Sequence, residues 1–377
     1  MGPLRGTRVI EVAGIGPGPF AAMLLADMGA DVLRLYRADQ SALLGGAGSD
    51  VVSRGRTAVA VNLKEQSGGE LLLRLIESAD ALLEGFRPGV MERLGLGPEV
   101  ALARNERLVY GRMTGYGQHG PLASVAGHDI NYLSIAGALG AIARRGERPL
   151  FPLNLLGDYG GGGMLLAFGV VCGIIEARSS GKGQVVDAAM VDGSALLTTI
   201  FHGLRAMGVW NDEPGTNILD SGAHFYEVYE TSDGGHIAVG ALEPQFYAEL
   251  LSLIGVDPND APQWNTERWP ELKERFAEIF RSRTRAEWEA VLESADACAT
   301  PVLGLAEAPK HPHNIARGTF LEHDGVLQPR PAPRFSRTPP EIAEATASEA
   351  EALAAWGLSE AELERFGIGS LVRDTDR

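Results

Sequence analysis

The chain has 377 residues, 45% of them apolar, enough to bury two cores rather than one. Its formal charge of −16 argues against nucleic acid as a partner, because phosphate-binding proteins carry cationic surfaces. The acidity is uneven: residues 1–120 hold 13 Lys+Arg against 13 Asp+Glu, so this neutral third is where an anionic ligand would be met.

The first residues run directly into strand-like Val9-Ile10-Glu11-Val12, so no signal peptide is expected. Residues 8–12 read as a strand, 19–29 as an Ala/Leu/Met-rich helix ending at Gly29, and 31–35 as a second strand, a βαβ opening. Between them, Gly14-Ile15-Gly16-Pro17-Gly18-Pro19 resembles a dinucleotide fingerprint only superficially. Pro17 and Pro19 remove two backbone N–H groups that would face a pyrophosphate, so neither nicotinamide nor flavin is expected. A strand at 57–63, an amphipathic helix at 69–79, a strand at 81–84, a short helix at 90–94 and a strand at 107–113 follow. Strands alternating with helices predict a parallel sheet covered on both faces.

Gly127-His128-Asp129 stands at the start of a helix expected over 130–139. There the N–H groups and positive dipole end could stabilise an enolate oxygen while a neutral His128 imidazole takes the adjacent proton. Asp158 precedes four consecutive glycines, Gly160–Gly163, which are poor helix material and mark close approach of a ligand or another backbone. Alone, Asp158 reads equally well as a helix N-cap; as a reactive carboxylate it is a proton donor, proton acceptor or nucleophile. The uncharged run Tyr159–Ile175 is short for a bilayer span and reads as a buried helix of a soluble protein. Cys172 and Cys298 have no ligand spacing and read as small core residues, in keeping with a reducing cytoplasm. Ser179–Gly183 is a turn and not a P-loop, since no Ser or Thr follows Lys182.

After a strand at 185–188, a long helix from about Gly193 to Gly208 leads through a linker into a second α/β region, with helices near 244–254, 270–282 and 285–293. Glu243 follows a buried strand and precedes a helix, so alone it reads as an N-terminal helix charge. His224 lies among aromatics, and no histidine shows metal-ligand spacing. Ser359-x-x-Glu362 is a capping box. The expected organisation is a large domain of residues 1–200 and 330–377, a linker at 201–223, a small α/β domain at 224–315 and a return linker at 316–329.

Several stretches together resemble the α-methylacyl-CoA racemase branch of the class III CoA-transferase family over nearly the whole chain. They include Glu11–Phe20, Leu25–Val32, Arg87–Gly95, Ala126–Tyr132, Gly181–Val185, Glu243–Tyr247 and Asp296–Val302. The resemblance implies a large Rossmann-like parallel-sheet domain plus a smaller α/β domain, in an interlocked homodimer. It implies that His128 and Asp158 move the α-proton of a 2-methylacyl-CoA on opposite faces, His128 serving the (S) and Asp158 the (R) substrate. The Asp129 N–H would hold the enolate, and Glu243 would contact the histidine. Arg37, Ala60, Val61, Asn62, Leu63, Lys64, Arg87 and Arg93 would bind CoA, with Gly127, Ile130, Asn131 and Tyr132 around the thioester. No metal or other cofactor is implied, since CoA is part of the substrate. The alternative is a CoA-transferase forming an aspartyl anhydride at Asp158; such an enzyme needs only the carboxylate, whereas Gly-His-Asp supplies a second proton relay. Two positions depart from the family: His224 stands where Pro is common and Asn62 where Asp is frequent. Asp374-Thr375-Asp376-Arg377 is not a peroxisomal address, so a cytoplasmic enzyme with no membrane partner is expected.

Overall fold

Short runs rich in Val, Leu and Ile form β1 (Arg8–Val12), β2 (Asp31–Tyr36), β3 (Thr57–Ala60), β4 (Ala81–Glu84), β5 (Val109–Thr114) and β6 (Gln184–Ala189). They pair in parallel throughout, in the order β3-β2-β1-β4-β5-β6. The computed structural model describes residues 2–38, 50–344 and 348–368. Between and after the strands come α1 (Pro17–Asp27), α2 (Gln66–Ile76), α3 (Val90–Arg93), α4 (Pro98–Arg104), α5 (Asp129–Ile135), α6 (Leu165–Ser180) and α7 (Met190–Leu197). Every residue of β4 and β5 is buried, as helices on both faces require. Alternate strand residues separate two cores. Val9, Val32, Leu83 and Val109 pack against α1 and α6, while Ile10, Leu33, Leu82 and Tyr110 pack against α2 and the C-terminal segment.

The chain divides into two units. The first comprises Met1–Ala136, Pro152–Leu197 and Phe320–Arg377; the second comprises Gly137–Phe151 and Thr198–Thr319. In the second unit, α8 (Thr199–Ala206) precedes an antiparallel sheet of β7 (Tyr226–Glu230), β8 (His236–Gly240) and β9 (Ala299–Pro301). Helices α9 (Pro244–Ile254), α10 (Trp269–Phe280) and α11 (Arg285–Leu292) bury Leu250, Phe276, Phe280 and Trp288 in its core. Buried Glu227 is held by Lys273 at 2.9 Å and by Arg144 at 2.8 Å, which fastens Gly137–Phe151 to this unit and not to the large one expected for it. A short helix α12 (Pro312–Arg317) closes the unit. The first unit then resumes with the hairpin β10 (Phe320–His323) and β11 (Val326–Pro329) and with α13 (Glu349–Ala355) and α14 (Glu360–Arg365). Ser359 and Glu362 form the capping box.

Four expectations change. The helix foreseen from Gly193 to Gly208 is two helices, α7 and α8, on either side of Thr198. The expected linkers carry structure: α8 begins at Thr199, and the β10–β11 hairpin belongs to the first unit. The helix is also longer than the uncharged run Tyr159–Ile175 and takes in Asp158, Glu176 and Arg178. A π-helix at Leu155–Met164 continues into α6, giving 26 residues that by length and composition alone suffice to cross a bilayer. One face of α6, with Leu166, Val170, Ile174 and Ala177, lies in the core. Met164, Phe168, Cys172 and Ile175, spaced by four, four and three residues, form an outward stripe. Cys172 is therefore exposed, as is Cys298 ahead of β9, and neither is the core residue expected.

Candidate active site

The strand order reverses between β1 and β4, and in a doubly wound sheet the carboxyl ends of the strands at such a point form a crevice. A cavity of about 300 Å³ lies there. Val12 and Ala13 at the end of β1, Tyr36 and Arg37 at the end of β2, and Val61–Lys64 beyond β3 form one side. Phe86 beyond β4, with Val90, Arg93 and Leu94 at α3, forms the other. The wall is apolar, with cations contributed by Arg37, Lys64 and Arg93, a combination suited to a nucleotide whose flat base is buried while its phosphates meet positive charge.

Local sequence explains these positions. The Asn62 side chain accepts from the Lys64 N–H at 3.2 Å and donates to Glu65 at 2.7 Å, shaping the turn into α2. Gly68 leaves room for the Asn62 carbonyl, which a side chain at 68 would overlap. On the opposite wall, Arg112 joins buried Glu84 at 3.0 Å to Glu92 of α3 at 2.8 Å, and the Phe86 N–H donates to Glu84 at 2.7 Å. Burial pushes the Glu84 carboxyl up to about 7, against the pull of the Phe86 N–H and Arg112.

Six of the expected CoA contacts, Arg37, Val61, Asn62, Leu63, Lys64 and Arg93, thus line one cavity. Ala60 does not line it; its N–H donates to Glu349 of α13 at 3.0 Å. Exposed Arg87 also lies outside the lining, although its charge reaches the Tyr132 hydroxyl. The remaining lining residues, Val12, Ala13, Leu35, Tyr36, Phe86, Val90 and Leu94, were missed by sequence reasoning. Their signal was position: each lies at or just beyond the carboxyl end of a strand, or at α3.

The second group of expected residues gathers around α5. Exposed His128 is the N-cap of this helix, with φ −133° and ψ 176°. Its N–H donates to Asn131 Oδ1 at 3.0 Å, so Asn131 closes the helix start, and α5 ends at Ile135, earlier than the 139 expected. Ile130 is 40% exposed. Tyr132 is buried, donates its hydroxyl to the Gly127 carbonyl and stands edge-on to Tyr116 with centroids 4.9 Å apart. A side chain at Gly127 would lie 2.8 Å from the Tyr132 ring, so the glycine beside His128 admits this tyrosine. Burial, then the nearby Tyr116 and Asp158, push the Tyr132 hydroxyl up to about 12, which keeps it a donor at neutral pH.

Asp158 lies in the first turn of the π-helix, a rare, wider winding that is frequent at functional sites. Its N–H donates to Asp129 Oδ1 at 2.7 Å, and its Oδ2 accepts from Asn154 Nδ2 at 3.1 Å. Gly16, at φ 70°, brings the β1–α1 loop so close that a side chain there would lie 3.5 Å from Asp158 Oδ2. The following glycines admit backbone: side chains at Gly161 and Gly163 would each lie 2.7 Å from Ser194 N and Pro17 O, respectively. Asp158 is thus pressed between α5 and the loop that begins at Ala13 in the cavity wall. A histidine, a carboxylate and a nucleotide-sized cavity share the carboxyl rim of one sheet. The Asn154 contact was missed because the sequence offered Asp158 as the helix N-cap, whereas the helix begins at Leu155 with Asn154 as its N-cap.

Glu243 belongs to the second unit, where it is the N-cap of α9 before Pro244. His224 is wholly buried, with Nε2 2.6 Å from the Tyr247 hydroxyl, which itself donates to the Ala261 carbonyl at 2.9 Å. Its ring packs edge-on against Phe225 and Phe276, and it is therefore a core residue of that unit.

The model of CoA-transferase family III matches residues 4–347. The chain is 46% identical over 370 residues to the Alpha-methylacyl-CoA racemase of Mus musculus, covering 96% of this chain and 95% of that protein. It is 44% identical over 340 residues to the protein of the same name from Homo sapiens, covering 89% and 87%. Its fold matches the crystal structure of a CAIB/BAIF family protein from Brucella suis with a TM-score of 0.78 at 24% identity, over 94% of this chain and 98% of that one.

Proposed function

Because the chain belongs to CoA-transferase family III, we propose that it interconverts (R)- and (S)-2-methylacyl-CoA thioesters by a 1,1-proton transfer. One observation carries this reading beyond the relatives' names. His128 and Asp158 are joined through Asp129, which follows the histidine in sequence and accepts the carboxylate residue's N–H at 2.7 Å. Two proton-transfer groups are held by one short piece of structure.

In this mechanism His128 removes the α-proton of the (S) thioester, and Asp158 delivers a proton to the opposite face to give the (R) product. The reverse reaction exchanges their roles. A thioester α-proton is weakly acidic, so stabilisation of the enolate must carry much of the barrier. The Asp129 N–H suits that role, since the first residue of a helix has no intrahelical acceptor for it. CoA would lie in the cavity, its phosphates toward Arg37, Lys64 and Arg93 and its apolar parts against Tyr36 and Phe86. Proton transfer of this kind calls for no metal or redox cofactor. Glu243 would contact His128 in an interlocked dimer, and the outward apolar stripe of α6 supplies surface for a second copy.

The test is NMR of each 2-methylacyl-CoA enantiomer with the enzyme in deuterated water, with and without a free carboxylic acid. The expected result is deuterium at the α-carbon and loss of chirality, indifferent to the acid. Intact α-protons with CoA passing to the acid would make Asp158 a nucleophile and the protein a transferase.

A further inference from the structure

We infer that the Asp129 side chain is a positioning residue: it caps the π-helix in trans and sets the place of Asp158 relative to the substrate. The inference deepens the racemase reading and rests on it.

A π-helix closes its hydrogen bonds over five residues, so it leaves more N–H groups open at its start than an α-helix does. Asp158 is the fourth residue of the Leu155–Met164 helix, and its N–H is one of these. The local N-cap, Asn154, does not satisfy it, because Asn154 makes no side-chain cap bond and gives its amide to the Asp158 carboxylate instead. The acceptor comes from 29 positions earlier in the chain, the Asp129 carboxylate, at 2.7 Å. Gly157 makes the approach possible, since a side chain there would overlap Asp129 Oδ1.

The arrangement is costly for a mere cap. Asp129 is only 6% exposed, and its Oδ2 is buried with no hydrogen-bond partner among the described residues. A buried, half-satisfied carboxylate destabilises a fold. Its pKa is raised, by burial first and also by the charge of Asp158, while the N–H groups of Asp158 and Gly157 oppose the rise. What the fold gains is a fixed spacing. The backbone of Asp129 carries the proposed enolate donor, its side chain holds the opposite base, and the link between them has two rotatable bonds.

The test separates the faces by following α-deuterium uptake from the (S) and (R) thioesters individually. Misplacing a catalytic group by about 1 Å can cost about 100-fold, so Asp129→Ala should lose uptake from (R) on that scale while uptake from (S) through His128 falls less than about tenfold. Asp129→Asn, whose Oδ1 can still accept, should recover (R) uptake to within about tenfold of the unmodified enzyme. Gly157→Ala should reproduce the one-sided loss with all polar groups in place, and it keeps the test open if Asp129→Ala does not fold. Equal losses on both faces, or normal (R) uptake in Asp129→Ala or Gly157→Ala, would overturn the inference. If the unmodified enzyme exchanges no α-proton, the racemase reading fails, and amide hydrogen exchange then decides. Faster exchange at Gly157 and Asp158 in Asp129→Ala, restored in Asp129→Asn, supports the cap; unchanged protection refutes it.

Discussion

A histidine closed off from water stays neutral, and His224 shows the consequence for stability. Burial, and secondarily the charge of Arg268, push its pKa from an ordinary 6.5 down to about 4. The unfolded chain therefore binds a proton that the folded chain refuses. The stabilisation is complete above pH 6.5 and is lost as the pH falls from there toward 4. Thermal and urea unfolding should show a loss on the order of 2–3 kcal/mol across that window, and His224→Gln should flatten it. For the proposed acid–base pair, Asp158→Ala should abolish α-exchange from the (R) thioester and retain some from (S), with His128→Ala showing the reverse; equal residual exchange from both would rule out two bases. His128 and Asp158 stood out as candidates in the sequence because each is a polar residue set among glycines at the edge of an apolar run. Asn154 did not. Its bond to Asp158 is an ordinary four-residue helical spacing, but the sequence offered Asp158, and not Asn154, as the helix N-cap.

At the scale of elements, α3 is four residues long and cannot hold itself together. Its anchor is Arg112 of β5, which grips Glu92 and, behind it, buried Glu84. Arg112→Leu should cost about 3–5 kcal/mol of stability, since Glu84 would be left buried without its cation. It should also raise KM for the CoA ester while leaving kcat nearly unchanged, because the displaced residues Val90 and Arg93 line the cavity and not the α5 region. Loss of kcat alone would show that α3 serves something else. The parallel strands were readable from short β-branched runs alternating with amphipathic helices. The break at Thr198 was not, because apolar residues continue on both sides of it and no Gly or Pro marks the boundary.

For the whole molecule, charge and topology converge. In an acidic protein of net charge −16, the cavity proposed for CoA lies in the one third whose charges balance, at the point where the sheet changes direction. Arg93→Ala should therefore raise KM for CoA esters much more than for the matching pantetheine thioesters, which lack the nucleotide; an equal rise for both would remove its phosphate role. The location of this cavity was legible from the charge count and from the family likeness. The extent of the units was not: Gly137–Phe151 joins the second unit through Arg144 and Glu227, a pairing separated by 83 positions that no local pattern announces.

Strand β3 is an edge of the sheet, and Ala60 at its end gives its N–H to Glu349, a residue 289 positions later, on the helix that packs over this edge. During synthesis that edge therefore stands open while the rest of the sheet is assembled, a template for pairing with a neighbouring nascent chain. Truncation before Ser348 should give a protein that aggregates as it emerges from the ribosome, even with every residue of the cavity and the α5 region present.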